Sequence, residues 1–220
     1  QAVAVSAATG LIYTGNFLDG TVTVADGATA TVVGTIGGVP SVSSLASLPR
    51  TGRIVAANEN ADTLTVIDEQ SRTIRRTIAV GARPRSVAAN PETGLAYVAN
   101  YGSDTISVVD PEAGVLATVP IGVRPRAVAV NPRNATAYVA LHGTDEIVAL
   151  DTTTLTIRAR VTVAVDPRGL AIHEGTGRVA VAQYGAGSIS VHDGATLQKV
   201  GTITTGAGPV AVAYDPAANR

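Results

Sequence analysis

Hydrophobic and polar residues alternate over short stretches along the whole chain, and turn-forming residues separate these stretches. Within one stretch the alternation predicts four β-strands, at residues 86–89, 95–100, 105–109 and 115–121. The intervening segments Asn90–Gly94 and Asp110–Gly114 contain the Asn, Asp, Pro and Gly residues of tight turns. No ten-residue segment shows helical periodicity. The pattern therefore predicts an all-β chain.

A six-residue segment of alternating polar and apolar residues recurs five times. Each copy ends in Asp, and these residues are Asp26, Asp68, Asp110, Asp151 and Asp193. Their spacings are 42, 42, 41 and 42 residues. Periods of about 40–45 residues with four short strands each are typical of β-propeller blades. The sequence therefore predicts a single propeller domain of about five four-stranded blades over residues 1–220, with strands A to D in each blade.

Composition narrows the function classes only a little. Hydrophobic residues form 45% of the chain and aromatic residues 3%, so the core must consist mainly of Val, Ala, Ile and Leu. A net charge of −1 gives no general attraction to nucleic acid or anionic membranes. No segment approaches the roughly 20 apolar residues of a spanning helix. Because Cys is absent, disulfides and thiolate chemistry are excluded.

The repeat resembles that of a known family. Ala96-Tyr97-Val98-Ala99-Asn100, followed by Thr105 to Asp110, is similar to the YVTN repeat of surface-layer and YncE-like propellers, and Ala137 to Ala140 repeats the first part. Gly122 to Val130 resembles the family's Gly-x-x-Pro-x-x-apolar-Ala segment. The resemblance implies a propeller, and an extracytoplasmic location (secreted, periplasmic or cell surface). The family includes binding proteins, surface proteins and a few enzymes, so it does not fix the function.

The number of A strands exceeds the number of blades. The approximate repeats cover residues 1–40, 41–84, 85–125, 126–167 and 168–208, and residues 209–220 match a further A strand. We expect a five-bladed ring in which the C-terminal copy completes the first sheet and displaces the N-terminal copy. Alternatively, the chain forms part of a larger ring, or the surplus strand pairs with another chain. The protein is then a monomer or a strand-swapped oligomer.

Two columns of residues across the repeats are candidates for a ligand site, because the D–A and B–C loops share one face. After the loop prolines Pro40, Pro84, Pro125, Pro167 and Pro209 stand Ser41, Arg85, Arg126, Arg168 and Val210, with Arg83 and Arg124 before two of them. Converging guanidinium groups favour a carboxylate or phosphate. The alternative is that each Arg pairs with a loop Asp of the neighbouring blade, such as Asp62, Asp104 or Asp145.

The second column varies from repeat to repeat. Its members at the start of the B–C loop are Phe17, Glu59, Tyr101, His142 and Tyr184, beside Asn16, Asn58, Asn100, Leu141 and Gln183. Such a set can stack on a ring and form hydrogen bonds to its substituents. The alternative is that these residues lie at solvent-exposed loop tips and bind no ligand. Other candidates favour structural roles: the five repeat Asp residues in turns, His173-Glu174 at the opposite end of its strand, and His192 as a half-exposed strand residue.

Three classes of function follow. The first is a non-catalytic module that binds a small anionic or ring-containing ligand, or a partner protein, through Arg83, Arg85, Arg124, Arg126, Arg168, Phe17, Asn58, Asn100, Tyr101 and Tyr184. The second is a lyase, lactonase or cyclase with His142 as base, supported by Glu59 or Asp145. The third is a structural surface-layer-type protein. No cofactor, metal or nucleic-acid partner is expected, since the sequence contains no corresponding motif.

Overall fold

Five antiparallel sheets of four strands each make up the computed structural model, which describes residues 2–214. Each sheet is a meander in which neighbours in sequence are also neighbours in the sheet. Over the described residues there is no α-helix, and a single 3₁₀ turn spans Pro132–Asn134. The prediction of an all-β chain with five four-stranded sheets is confirmed. No helix in this part of the chain is long and apolar enough to cross a membrane.

The strands follow the predicted repeat closely. The first sheet contains β1 (Ala2–Val5), β2 (Leu11–Asn16), β3 (Thr21–Asp26) and β4 (Thr31–Gly37), and the second β5 (Val42–Leu48), β6 (Arg53–Asn58), β7 (Thr63–Asp68) and β8 (Thr73–Ala79). The third contains β9 (Pro84–Ala89), β10 (Ala96–Asn100), β11 (Thr105–Asp110) and β12 (Gly114–Pro120). The fourth contains β13 (Pro125–Asn131), β14 (Thr136–Leu141), β15 (Glu146–Asp151) and β16 (Ile157–Thr162), and the fifth β17 (Pro167–His173), β18 (Arg178–Gln183), β19 (Ser188–Asp193) and β20 (Lys199–Thr204).

The described residues form two compact units that divide between Val119 and Pro120. In the first unit, apolar side chains fill the space between the first and second sheets and between the second and third sheets, for example Tyr13, Val24, Ile54, Val55 and Val98. In the second unit, the fourth and fifth sheets pack through residues such as Tyr138, Ile147, Val179 and Val181. Because small β-branched residues dominate, the sheets interlock with few aromatic side chains.

The repeat Asp residues stabilise the turn after the third strand of each sheet. Asp151 Oδ1, for example, accepts hydrogen bonds from the backbone N–H groups of Thr153 (2.7 Å) and Thr154 (2.8 Å). The N–H groups of Thr154 and Thr153, together with Arg158, lower the pKa of the Asp151 carboxyl group to about 2 against the opposing effect of burial. Equivalent bonds form at Asp26, Asp110 and Asp193.

The first sheet takes its first strand from the N-terminal copy of the repeat. β1 pairs with β2, with Ala2 opposite Gly15 and Val5 opposite Ile12. This differs from the expectation that the C-terminal copy completes that sheet. Within the described part of that copy, residues 209–214 carry no strand, and residues 215–220 lie outside the described residues. The segment instead passes beside β17, where Ala211 leaves no room for a side chain on Gly169, and Tyr214 packs on His173 at 4.0 Å between ring centroids.

Candidate functional site

The five variable residues of the second column occupy equivalent backbone positions. Phe17, Glu59, Tyr101, His142 and Tyr184 each follow the last residue of the second strand of their sheets. In four sheets the backbone N–H of this residue donates to the carbonyl group of the residue just before the first strand: Glu59 to Ser41, Tyr101 to Arg83, His142 to Arg124 and Tyr184 to Asp166. All four acceptor residues have φ between 51° and 59°. The left-handed backbone holds the two loops together at one end of each sheet.

The first unit contains a compact charged group that we call the Glu59 cluster: Glu59, Arg83, Arg85 and Tyr101. Glu59 Oε1 lies 2.8 Å from Arg85 Nη2 and 3.1 Å from Arg83 Nη2, and it also accepts from Arg85 Nε at 2.9 Å. The guanidinium carbon lies 4.5 Å from the Tyr101 ring centroid for Arg85 and 5.4 Å for Arg83. Two cations therefore share one carboxylate oxygen beside an aromatic ring.

Burial differs within the Glu59 cluster. The Glu59 side chain is 12% exposed, Arg85 is 26% exposed and Arg83 is 52% exposed. The backbone of Arg83 is fixed separately, because its N–H donates to Asp62 Oδ1 at 2.8 Å. With two guanidinium groups against one carboxylate, the cluster has a formal charge of +1. Of the two guanidinium groups, that of Arg83 faces solvent more, and the Asp62 carboxylate lies beside the Arg83 backbone.

The second unit contains a related group, the His142 cluster: His142, Asp166, Arg168 and Tyr184. Asp166 Oδ1 lies 2.7 Å from His142 Nδ1, and Asp166 Oδ2 accepts from Arg168 Nε at 2.8 Å and Nη2 at 2.6 Å. The Arg168 guanidinium carbon stacks 3.4 Å from the Tyr184 ring centroid. The Asp166 N–H donates to Asp145 Oδ1 at 2.8 Å. The carboxylate thus fixes both an imidazole and a guanidinium group.

Electrostatics keep Asp166 ionised despite its burial. Burial favours the neutral acid, but hydrogen bonds from Arg168 and His142 outweigh it and lower the pKa of the carboxyl group. The contact of Asp166 Oδ1 with Nδ1 fixes the orientation of the His142 imidazole ring. This is the arrangement by which carboxylates orient catalytic histidines in many enzymes.

The two clusters occupy equivalent positions of the repeat, with the acidic residue on opposite sides of the contact. The residues Glu59, Arg83, Arg85 and Tyr101 each have their counterpart 83 positions further along, at His142, Asp166, Arg168 and Tyr184. In the first cluster the acid follows the second strand and a base precedes the first strand of the next sheet. In the second cluster the base follows the second strand and the acid precedes the next sheet. In both units the residue after the second strand contacts the residue before the next first strand.

The structure places the remaining candidates in different settings. Arg126 lies half-buried on β13, and Arg124 is exposed with φ 55° just before that strand. Phe17 is half-buried directly after β2. The alternative was that the arginines pair with loop Asp residues. In the structure Asp62 and Asp145 accept hydrogen bonds from backbone N–H groups. The side chain of Arg85 pairs with Glu59, and that of Arg168 pairs with Asp166.

Asn58 and Asn100 are buried within the sheets and join their second and third strands. Asn58 Nδ2 donates to the hydroxyl groups of Thr63 (2.9 Å) and Thr65 (2.7 Å), and Asn100 Nδ2 donates to Thr105 (3.0 Å) and Ser107 (2.9 Å). Both side chains are fully buried. Glu59 and Tyr101 follow directly after these two buried Asn residues. A direct contact of either Asn with a ligand stays a prediction.

Three features were not found from the sequence. Asp166 was missed, although it stands in the column of Arg83 and Arg124 before the loop prolines. The register of the second repeat was also shifted: Val42, not Pro40, corresponds to Pro84, because Val42 pairs with Asn58 as Pro84 pairs with Asn100. His192 is only 1% exposed and not half-exposed.

Over residues 2–214, no group of three or more His, Asp or Glu side chains is placed to hold a metal ion.

The sequence profile of the YncE-like β-propeller family matches residues 1–217. A search of curated proteins found no match. Among solved structures, the chain is similar to one titled Kuenenia stuttgartiensis hydrazine synthase, with a TM-score of 0.74 and 15% identity over 98% of this chain and 89% of that one. At this identity the likeness establishes the fold alone.

Proposed function

The chain belongs to the YncE-like β-propeller family, and on this scaffold we propose that it binds a small anionic ligand that carries a planar ring. The Glu59 cluster is the binding site. The observation that supports this function is the convergence of Arg83 and Arg85 on the single oxygen Glu59 Oε1. A carboxylate or phosphate on the ligand pairs with the surplus positive charge.

The cluster is preorganised for such a ligand. Glu59 holds both guanidinium groups in place before binding, so little side-chain freedom remains to be lost when an anion arrives. Arg85 is the anchor because two of its N–H groups already bond Glu59 and its exposed fraction is the lower of the two arginines. Arg83, half exposed, turns toward the incoming anion and completes the pair of donors.

The ring of Tyr101 gives the site its preference for a planar group. Both guanidinium groups lie within 5.4 Å of the ring centroid, so one aromatic face is already used as a stacking surface. A ligand ring beside the same Tyr gains a further stacking contact of about 0.5–1.5 kcal/mol. An aromatic phosphate therefore binds more tightly than inorganic phosphate.

Isothermal titration with phenyl phosphate and with inorganic phosphate tests this function. Phenyl phosphate binds the wild-type protein more tightly than phosphate, and Arg85→Gln weakens both by about tenfold or more, because a charge-assisted hydrogen bond contributes about 1.5–3 kcal/mol. Arg75→Gln, an exposed arginine on β8, is the matched control and leaves binding unchanged. Equal affinity of Arg85→Gln and wild type removes the Glu59 cluster from the site.

The His142 cluster favours a second candidate function, acid–base catalysis on a small ester or lactone. The specific observation is the 2.7 Å contact of His142 Nδ1 with Asp166 Oδ1, which holds the imidazole ring in one orientation, with His142 as the proposed base. In this proposal Asp166, and not Asp145 or Glu59, is the positioning carboxylate. A panel of esters and lactones tests it: His142→Ala abolishes any turnover found, and full activity in that variant excludes His142 as the base.

A further inference from the structure

A polar crevice lies between the fourth and fifth sheets. Its volume is about 250 Å³, and its walls include Thr162, Val163, Gln183, Ser190 and His192. At the position of His192 the other four repeats have apolar residues: Ala25, Ile67, Val109 and Leu150. Gln183, Ser190 and His192 line this crevice, and each is at most 3% exposed to solvent. The fifth sheet thus has a buried polar wall where its counterparts have an apolar one.

The hydrogen bonds of this wall have a defined direction. His192 Nδ1 lies 2.9 Å from the Leu197 carbonyl oxygen, which can only accept, so Nδ1 carries the proton. Nε2 of the neutral ring therefore accepts from Ser190 Oγ at 2.8 Å. Ser190 Oγ in turn accepts from Gln183 Nε2 at 2.8 Å. In the neutral state the Ser190 hydroxyl hydrogen is directed at His192 and not at the crevice.

Lys199 adds a positive charge to the lining of the crevice. Lys199, the single lysine of the chain, is exposed on β20 and pairs directly opposite His192 in the sheet. The facing residues 161–164 bring no titratable side chain. Nearby acids are engaged elsewhere: Glu146 on β15 lies 3.6 Å from Arg160, and Asp193 lies 3.6 Å from Arg178. Burial lowers the pKa of His192; the hydrogen bond with the Leu197 carbonyl group opposes this, and the charge of Lys199 adds a smaller lowering effect.

We propose that this crevice binds a small oxyanion of the sulfate, phosphate or short carboxylate class between Lys199 and Ser190, and that His192 takes up a proton when the anion binds. An anion in the crevice stabilises the imidazolium ion, which then donates from both ring nitrogens. Ser190 Oγ accepts that new bond, and its own hydrogen turns from His192 toward the anion. Lys199 supplies the second contact. Anion affinity therefore increases as the pH falls.

The site is independent of the Glu59 cluster, so its test needs a local readout. The chain has three histidines, His142, His173 and His192, and their ring Cε1–H resonances can be assigned by single substitution. The pH titration of each resonance is followed with sodium sulfate and with sodium chloride at equal ionic strength. Sulfate stays dianionic over this range, so proton uptake belongs to the protein.

We expect sulfate to move the His192 midpoint upward while chloride does not, with His173 unaffected as the internal control. Lys199→Gln weakens sulfate binding at this site by about tenfold. Ser190→Ala reduces the coupling between sulfate and the His192 midpoint. If the midpoint of the His192 pH titration is the same with sulfate and with chloride, the crevice holds only water and the proposal is overturned. An equal shift at His173, or an unchanged response in Lys199→Gln, overturns it as well.

Discussion

Asp166 fixes the imidazole of His142 through a 2.7 Å contact between Oδ1 and Nδ1, across two neighbouring sheets of the second unit. The residues are 24 positions apart, the same separation as Glu59 and Arg83 in the first unit. In both units the residue after a second strand pairs with the residue before the next first strand. The repeat therefore provides a pairing position whose charges can be exchanged without moving the backbone, and this is how one scaffold gives two different local chemistries.

Arg85 and Arg83 are expected to differ in their effect on stability. Arg85→Ala leaves the nearly buried Glu59 with only the half-exposed Arg83, so we expect a loss of about 1–3 kcal/mol in the free energy of unfolding. Arg83→Ala removes the more exposed partner and costs less than about 1 kcal/mol. Urea denaturation of both variants measures the difference. An equal loss in the two variants contradicts the assignment of Arg85 as the main partner.

Asn100→Ala tests the structural role of the buried amide. The substitution removes two hydrogen bonds and leaves the hydroxyl groups of Thr105 and Ser107 without that donor. We expect the free energy of unfolding to fall by about 1–3 kcal/mol. Chemical denaturation checks the value, and Asn60→Ala, an exposed Asn in the neighbouring loop of the second sheet, is the control. A stability equal to that of the wild type would mean that the amide does not join the strands.

His192 is expected to make the protein sensitive to mild acid. Its pKa is lowered by burial in the folded state, so the unfolded chain binds the proton more readily and stability falls as the pH drops below the ordinary value of 6.5. His192→Leu, which restores the residue type of Leu150, removes this dependence. The test is the free energy of unfolding of both proteins at about pH 8 and about pH 5, which lie on either side of that value. His173→Gln is the control and keeps the wild-type slope; a slope that survives in His192→Leu contradicts the assignment.

Asp151 is expected to contribute stability that disappears in strong acid. Its pKa is lowered from 3.8 to about 2, so the contribution is present above pH 3.8 and is lost as the pH falls through about 2. The Asp151→Asn variant is therefore less stable than the wild type at neutral pH, and the two converge in strong acid. Thermal unfolding across that range measures the difference. A difference that is constant with pH would show that the carboxylate is not the stabilising form.

Much of the fold could be predicted because it depends on local pattern. Alternation and turn residues predicted the strands, and the repeat Asp residues anchored their register, since both signals act within one sheet. The register failed after Pro40, where a proline was taken as the anchor while Val42 occupies the pairing position. A proline signals a turn but does not fix which neighbour enters the ladder.

The site was predicted only in part, because pairs between sheets have no local signature. The sequence placed Glu59, Arg83, Arg85 and Tyr101 at one end of the sheets, and these residues are in contact in the structure. Their contact with a ligand stays a prediction. Which acid meets which base depends on side-chain reach across two sheets, so Asp166 could not be separated from Asp145 by spacing. The burial of His192 was missed because the residue lies beside a turn, whereas its environment is set by the facing fourth sheet.

The Glu59 cluster is proposed to bind a ring-bearing anion. The most direct measurement is a crystal structure of the protein soaked with phenyl phosphate. The claim predicts the phosphate within hydrogen-bond distance of Arg83 and Arg85, and the phenyl ring against Tyr101. Phenyl phosphate bound only at other residues would contradict it. So would a soaked wild-type crystal in which neither arginine contacts the ligand, with the same result in crystals of Arg85→Gln.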